Sequence, residues 1–320
     1  MTAKKVILDV DPGIDDAIAL CLALFDPQVE VVAVTSAGGN VPAERATRNV
    51  QAIIEQLDPP RWPRIGAGAD PDNGLPIRTT HLCGSDGLGN VEFEVAELHH
   101  RHPSEKVICD EAHAAPEQIT LVALAPLTNV CRALQRTASL PSQLGQLVMM
   151  GGAVTAPGNA TAAAEFNIFC DPPSARTVFR SAFTKTLIPL DITNQIILTY
   201  NVVDQLPDET SRVGRFLRRI LPFALRAHRQ HLGLEGMYVH DAVALAAALR
   251  PELFEIEMIP ADVELSGELT TGATVFDRRR VREWRPNLAV ATGVNVEGVT
   301  DFIVQGLAAA GAASKKSTTS

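Results

Sequence analysis

The sequence predicts an α/β fold: a single Rossmann-like domain over residues 1–310, with a mainly parallel central sheet, helices on both faces and a small C-terminal β-hairpin. Short β-branched runs alternate with longer amphipathic segments, as in parallel sheets covered by helices. Several predicted strand ends run into Gly, Pro, Asp or Asn, and ligands bind beyond such ends. A hydrophobic content of 46% with 20% charged residues supports one large core.

Each predicted element has a local reason. Apart from Asp9, residues 6–10 are apolar and mostly β-branched, which favours a buried strand, and Pro12-Gly13 allows the turn into a helix over 15–25. Short apolar runs predict the other strands, and longer amphipathic runs predict the helices. In chain order these are a strand at 29–36, a helix at 42–57, strands at 119–124, 147–150 and 187–190, short strands with Gly-rich turns from residue 262, and a helix at about 298–310.

Two segments carry no predicted chemistry. Residues 311–320 are small and polar, which predicts a disordered tail. His99, His100 and His102 stand close together without a motif around them, and we interpret them as a solvated helix end.

Charge and cysteine content exclude several classes of function. A net charge of −9 argues against nucleic acid or an anionic membrane as the partner, and favours a small neutral ligand. The five cysteines are scattered and form no close pair, so a disulfide framework or a zinc site is not indicated. Without a signal peptide pattern or a membrane-spanning apolar run, the chain is expected to be cytoplasmic.

Four carboxylates fall within eight residues where the first strand ends: Asp9, Asp11, Asp15 and Asp16. Burying so many like charges is costly unless a cation compensates them. Capping of the following helix explains one or two of these residues, but not four. Carboxylate oxygens on a tight turn suit a hard divalent cation, Ca²⁺ or Mg²⁺.

The run from Asp9 to Asp16 resembles the N-terminal motif of the inosine–uridine nucleoside hydrolases, Asp-x-Asp-Pro-Gly-x-Asp-Asp. The resemblance continues in order along nearly the whole chain. Its further segments are Gly38-Gly39-Asn40, Leu124-Ala125-Pro126-Leu127-Thr128-Asn129, Met150-Gly151-Gly152 before Asn159, Glu165-Phe166-Asn167 with Asp171-Pro172, and His240-Asp241.

The resemblance implies one Ca²⁺ per subunit, held by Asp11, Asp16, Asp241 and the backbone carbonyl of Leu124. It also implies a set of polar side chains that bind the ribose hydroxyls, because amides and carboxylates match those neutral donors and acceptors. The set consists of Asp15, Asn40, Asn159, Glu165 and Asn167.

The implied reaction is hydrolysis of the N-glycosidic bond of ribonucleosides to ribose and free base. Cleavage of this bond builds oxocarbenium character on the ribose. Asp11 is expected to accept a proton from a calcium-bound water that attacks the anomeric carbon. His240 is the expected proton donor that assists departure of the base. The resemblance further implies a homodimer or homotetramer.

One departure from the family pattern concerns the base side of the site. Members carry His-Gly-x-x-Gly-Leu after the third strand, and here Cys83 stands at the position of that His. His81 lies two residues earlier and is expected to reach towards the base from the loop. Phe166 is expected to contact the base as well. Preference for purine or pyrimidine nucleosides is left open by these residues.

Two alternatives remain at the level of sequence. Asp9-Val10-Asp11 after an apolar strand also fits a Mg²⁺-dependent phosphatase of the haloacid dehalogenase type, with Asp9 or Asp11 as nucleophile. That pattern does not require Asp15 and Asp16. Cys83 leaves room for the second alternative, a ribose- or nucleoside-binding protein that keeps the metal site without turnover.

Overall fold

The structure, a computed structural model, describes residues 3–77, 79–96 and 101–315. Its strands are β1 (Lys4–Val10), β2 (Val29–Ser36), β3 (Arg64–Ala67), β4 (His102–Pro103), β5 (Ile119–Ala123), β6 (Gln146–Met150), β7 (Lys185–Ile188), β8 (Ile197–Thr199), β9 (Gly236–Tyr238), β10 (Phe254–Ile259), β11 (Ala261–Val263), β12 (Thr274–Phe276) and β13 (Leu288–Val294). Its α-helices are α1 (Ile14–Phe25), α2 (Ala43–Leu57), α3 (Thr80–Cys83), α4 (Ser104–Ala114), α5 (Thr128–Arg136), α6 (Leu140–Gln143), α7 (Phe166–Cys170), α8 (Pro172–Arg180), α9 (Leu190–Thr193), α10 (Val202–Gln205), α11 (Arg212–Leu232), α12 (His240–Leu249) and α13 (Val296–Ala313).

The central sheet has the strand order β10-β13-β7-β6-β5-β1-β2-β3-β4. All neighbours pair in parallel except β10, which runs antiparallel to β13 at the edge. From β1 the chain first builds outwards through β2, β3 and β4, and then returns to place β5 on the other side of β1. The order reverses between β1 and β5, so a crevice opens beyond their carboxyl ends, where ligands bind in this kind of sheet.

Helices cover both faces of the sheet, as the alternation along β1 shows. Val6 and Leu8 point into a core formed with α1, α2, α11, α12 and α13, whereas Ile7 points into a second core with α4, α5 and α8. These residues are fully buried. The predicted class of fold, a mainly parallel sheet between two helical layers, is therefore confirmed.

The predicted C-terminal hairpin is also present, formed by the antiparallel pair β11 and β12. Within the described ranges, no helix is both long and apolar enough to cross a membrane.

Three expectations near the chain ends and edges need correction. The strand predicted at 187–190 runs instead over Lys185–Ile188, because Lys185 is buried with its Nζ atom donating to the carbonyl of Ser181 at 2.6 Å. The predicted tail begins too early, since α13 continues to Ala313 and Gly311 is buried against Pro207. Residues 316–320 lie outside the described residues. So do His99 and His100, and His102 lies in the edge strand β4 rather than in a helix.

Candidate active site

A cavity of about 610 Å³ lies at the carboxyl ends of β1 and β5, where the strand order reverses. Every residue predicted to act in the site lines this cavity except Asp16, which is fully buried. The residues concerned are Asp11, Asp15, Asn40, His81, Cys83, Leu124, Asn159, Glu165, Phe166, Asn167, His240 and Asp241.

The aspartates converge from two elements. The chain turns from β1 into α1, where the backbone N–H of Gly13 donates to Oδ2 of Asp16 at 2.8 Å. Asp241 stands in the first turn of α12. One carboxylate oxygen each of Asp15, Asp16 and Asp241 lies within 4.8 Å of the others. Asp11 lies outside this trio, but it faces the same cavity.

These carboxylates destabilise one another as anions. Burial raises the pKa of Asp11, and the negative charge of Asp16 raises it further. The pKa of Asp16 and that of Asp241 are raised in the same way, first by burial and then by the charge of Asp15. Among the residues that the structure describes, none donates a hydrogen bond to the buried Oδ1 atom of Asp16. A divalent cation would satisfy this orphaned oxygen and offset the repulsion, so the donor set fits a metal bound through oxygen.

Asp11 is held by the loop that follows β2. The backbone N–H of Asn40 donates to its Oδ2 atom at 2.6 Å. Gly39 makes this approach possible, because a Cβ atom at this position would lie 2.0 Å from Oδ2 of Asp11. The side chain of Asn40 is fixed in turn, since its Oδ1 atom accepts from the hydroxyl of Thr79 at 2.6 Å.

Asp9 has a structural role. It is fully buried, and its Oδ1 atom accepts from the Thr35 hydroxyl at 2.6 Å and from Nδ2 of Asn129 at 2.8 Å. Asn129 also donates to the carbonyl of Ser36. Asp9 therefore joins β1 to β2 and to the start of α5, and it does not reach the cavity as the nucleophile of a phosphatase would have to.

Glu165 caps helix α7 as well as lining the cavity. Its Oε1 atom accepts from the backbone N–H of Asn167 at 2.9 Å, and its Oε2 atom accepts from those of Ile168 at 3.1 Å and Gly152 at 3.0 Å. Burial raises its pKa to about 7, although these three donors favour the charged form. The carboxylate is thereby fixed in one orientation at the wall of the cavity.

The neighbouring amides are fixed by the backbone. Nδ2 of Asn167 donates to the carbonyl of Leu124 at 2.7 Å, which leaves one lone pair of that oxygen for another partner. Oδ1 of Asn159 accepts from the backbone N–H of Phe166 at 2.8 Å. Roles of these residues towards ribose or a metal stay predictions.

His240 stands at the start of α12 with two contacts. Its Nδ1 atom lies 2.7 Å from the hydroxyl oxygen of Thr193, and its ring stacks on Tyr238 with centroids 5.1 Å apart. Burial lowers the pKa of His240 to about 3, and His228 contributes to the same shift. The imidazole is consequently neutral at neutral pH.

Cys83 and His81 differ in exposure. Cys83 is buried, with its Sγ atom 3.3 Å from the carbonyl of Thr79, and burial raises the pKa of its thiol to about 12. It is therefore no thiolate nucleophile at neutral pH. His81 is exposed on α3, and its ring meets that of His231 on α11 edge to face at 5.2 Å.

Sequence reasoning missed helix α9. Asp191 accepts hydrogen bonds from the backbone N–H groups of Val154, Thr155 and Ala156, which lie on the loop that leads to Asn159. Thr193, on the same helix, contacts His240. The signal was a polar segment directly after a strand, as at the other strand ends, but the strand predicted at 187–190 overlapped it.

Known proteins resemble this chain over nearly its full length. The family model described as inosine-uridine preferring nucleoside hydrolase matches residues 6–301. An inosine-uridine preferring nucleoside hydrolase of Crithidia fasciculata is 32% identical over 308 residues, which cover 95% of this chain and 97% of that protein. A non-specific ribonucleoside hydrolase RihC of Escherichia coli is 35% identical over 310 residues, covering 95% and 98%.

A solved structure gives the same result. The purine-preferring ribonucleoside hydrolase from Gardnerella vaginalis superimposes with a TM-score of 0.88 and 31% identity, over 97% of this chain and 100% of that chain. Both the sequence and the fold match over nearly their full length, and the expected resemblance is confirmed. The chain belongs to the inosine-uridine preferring nucleoside hydrolase family.

Proposed function

We propose that this chain hydrolyses the N-glycosidic bond of ribonucleosides to ribose and free base in a calcium-dependent reaction. One observation carries the proposal: Asp11, Asp241, the fixed amides and His240 all border a single cavity at the point where the strand order reverses. Membership of the nucleoside hydrolase family supports the same activity.

Asp11, Asp16, Asp241 and the carbonyl of Leu124 would hold the metal, with Asp15 beside them. A set made only of oxygen donors favours Ca²⁺ or Mg²⁺ over softer metals, and a cluster built from separate elements suits the larger, more flexible coordination of Ca²⁺. When bound, the ion would supply charge to orient the sugar hydroxyls and to acidify a water.

The ribose hydroxyls bind to Asp15, Asn40, Asn159, Glu165 and Asn167. Hydrogen bonds to the backbone or to Thr79 hold four of these side chains in place before the sugar arrives: Asn40, Asn159, Glu165 and Asn167. Such preorganisation lowers the entropic cost of reaching the transition state.

The carboxylate of Asp11 accepts a proton from the water that attacks the anomeric carbon. Asp11 reaches the cavity while the N–H of Asn40 fixes its other side, so its orientation is set before the water binds. His240 assists departure of the base from the opposite side of the bond. Because its imidazole is neutral, a hydrogen bond to a base nitrogen is the form that this assistance takes.

The base lies among His81, Cys83, Phe166 and Tyr238. The relatives named above prefer inosine and uridine, prefer purines or are non-specific, so family membership sets no single base preference. The thiol of Cys83 and the exposed ring of His81 offer one weak and one adaptable polar contact, which favours broad specificity.

A product assay tests the proposal. The protein is incubated with inosine, adenosine, guanosine, uridine, cytidine and p-nitrophenyl riboside, and free base and ribose are quantified by chromatography. The proposal predicts equal amounts of base and ribose from at least one nucleoside. Saturable binding of nucleosides without cleavage of any of these substrates would instead support a binding protein, and release of phosphate from p-nitrophenyl phosphate would support a phosphatase.

We further propose a cytoplasmic homodimer or homotetramer. All five cysteines are buried as free thiols, which is typical of proteins in a reducing compartment. Ile256 and Met258 on the edge strand β10 are exposed apolar side chains, which supports association. Light scattering coupled to size exclusion measures the mass; a value of one chain's mass at micromolar concentration would contradict the oligomer.

A further inference from the structure

The hydroxyl of Thr193 has one hydrogen-bond partner in the described part of the chain. Thr193 is fully buried at the end of α9, and its Oγ1 atom lies 2.7 Å from Nδ1 of His240. It does not donate to the carbonyl four residues earlier, as Thr177 on α8 does to Pro173 at 2.9 Å. The carbonyl of Pro189 instead accepts from the backbone N–H groups of Ile192 and Thr193.

This isolation decides the direction of the hydrogen bond. A hydroxyl carries one proton, and a buried donor without an acceptor is costly, by about 1–3 kcal/mol. If Nδ1 of His240 carried the proton and donated to Thr193, the hydroxyl proton would have no acceptor. If the hydroxyl donates to Nδ1, both groups are satisfied and the ring proton resides on Nε2.

The Nε2 atom is then free to face the ligand. His240 lines the cavity, and no partner for Nε2 is found among residues 3–77, 79–96 and 101–315. Tyr238 stacks on the ring and restricts its rotation. Thr193 itself is not among the residues that line the cavity, and in the described part of the chain its hydroxyl makes no hydrogen bond to Asp15, Asp16 or Asp241.

We propose that Thr193 is a positioning residue: its hydroxyl fixes His240 as the tautomer with the proton on Nε2, ready to donate a hydrogen bond to a nitrogen of the departing base. This inference rests on the proposed function of His240. It predicts that the contribution of Thr193 scales with the demand of the leaving group, because p-nitrophenolate needs no such hydrogen bond and a nucleobase does.

Three variants separate this role from a structural one. Thr193→Val keeps the shape and removes the hydroxyl, Thr193→Ser keeps the hydroxyl, and His240→Ala removes its partner. Thr177→Val is the matched control, because it deletes a threonine hydroxyl that does not contact the site. Each is assayed with the best nucleoside substrate and with p-nitrophenyl riboside, after thermal unfolding has confirmed that it folds.

We expect Thr193→Val to lower kcat for the nucleoside by about 10–100-fold, the range seen when the hydrogen-bond partner of a metal-binding histidine is removed, with KM nearly unchanged. Hydrolysis of p-nitrophenyl riboside stays near the wild-type rate, Thr193→Ser recovers most of the nucleoside activity, and Thr177→Val behaves as wild type. The ¹⁵N spectrum of labelled histidine, with the His240 signals assigned from His240→Ala, shows a protonated Nε2 in the wild type and a mixture of tautomers in Thr193→Val.

Two results overturn the inference, and they differ from failure of the proposed function. Thr193 does not position His240 in this way if Thr193→Val loses activity equally on the nucleoside and on p-nitrophenyl riboside. The same conclusion follows if His240 of the wild type carries the proton on Nδ1. If His240→Ala also loses activity equally on both substrates, the assigned role of His240 fails, and the role of Thr193 fails with it.

Discussion

Substitution of Gly39 by alanine perturbs the site by one methyl group. An added Cβ atom would lie 2.0 Å from Oδ2 and 2.6 Å from Cγ of Asp11, and separations below 3.0 Å do not occur for real Cβ atoms. Asp11 or the Gly39 loop must therefore move by about 1 Å or more. Asp11 resists this shift because it is buried and bonded to the N–H of Asn40.

The expected effect on activity is larger than that on stability. Overpacking of this kind costs about 1–3 kcal/mol of unfolding free energy, whereas a misplacement of 1 Å in a catalytic group costs about 100-fold in rate. We therefore expect kcat/KM of Gly39→Ala to fall by about 100-fold. Steady-state ribose release measures kcat/KM, and thermal unfolding measures stability on the same preparation.

Gly145→Ala is the matched control. Its Cβ would lie 2.4 Å from the carbonyl oxygen of Glu117, a comparable clash, but at the amino end of β6, away from the cavity. We expect a similar loss of stability with an unchanged kcat/KM. Near wild-type activity in Gly39→Ala, or an equal loss of activity in Gly145→Ala, would refute the assignment of Asp11 to the reacting centre.

Three further predictions follow from single contacts. Asp191→Ala removes the acceptor of three backbone N–H groups, so KM for nucleosides rises several-fold while thermal stability falls slightly; an unchanged KM would show that this anchor is not needed. Burial raises the pKa of Asp262, but hydrogen bonds from Arg180 and Arg176 outweigh it and hold that pKa below its ordinary value. The stabilisation is then present above pH of about 4 and lost as pH falls through the folded pKa. Asp262→Asn should therefore cost about 0.5–1 kcal/mol at pH 7 and progressively less as acid protonates the carboxyl in the folded protein; a cost independent of pH in urea unfolding would contradict this. Cys83→Ala should retain turnover, since its thiol stays protonated at neutral pH; complete loss of ribose release would assign it a chemical role.

The first strand and its turn could be predicted because several levels of the sequence agree there. Apolar residues favour the strand, and Pro12-Gly13 favours the turn. Helix capping alone does not explain four carboxylates in one segment. The structure brings Asp11, Asp15 and Asp16 to one end of the sheet, as expected.

What could not be predicted depends on contacts between distant segments. Lys185 carries a charge, which argues against a place in a buried strand. Its ammonium group donates a hydrogen bond to the carbonyl of Ser181, and this contact allows Lys185 to be buried in β7. A glycine at position 311 is typical of the residue that ends a helix. In the structure the helix continues past Gly311, and a glycine is required because Pro207 lies too close for a side chain. Asp9 looks like its neighbours in the motif, but only the packing of Thr35 and Asn129 around it shows that it is structural.

We propose that Asp11, Asp16, Asp241 and the carbonyl of Leu124 hold a calcium ion that hydrolysis requires. The direct test is the rate of ribose release from the best nucleoside as a function of free Ca²⁺, after chelation to a metal-free protein verified by elemental analysis. We expect no turnover without metal, recovery that saturates with one Ca²⁺ per chain, and a weaker Ca²⁺ response in Asp241→Asn. Undiminished hydrolysis by the metal-free protein would contradict it.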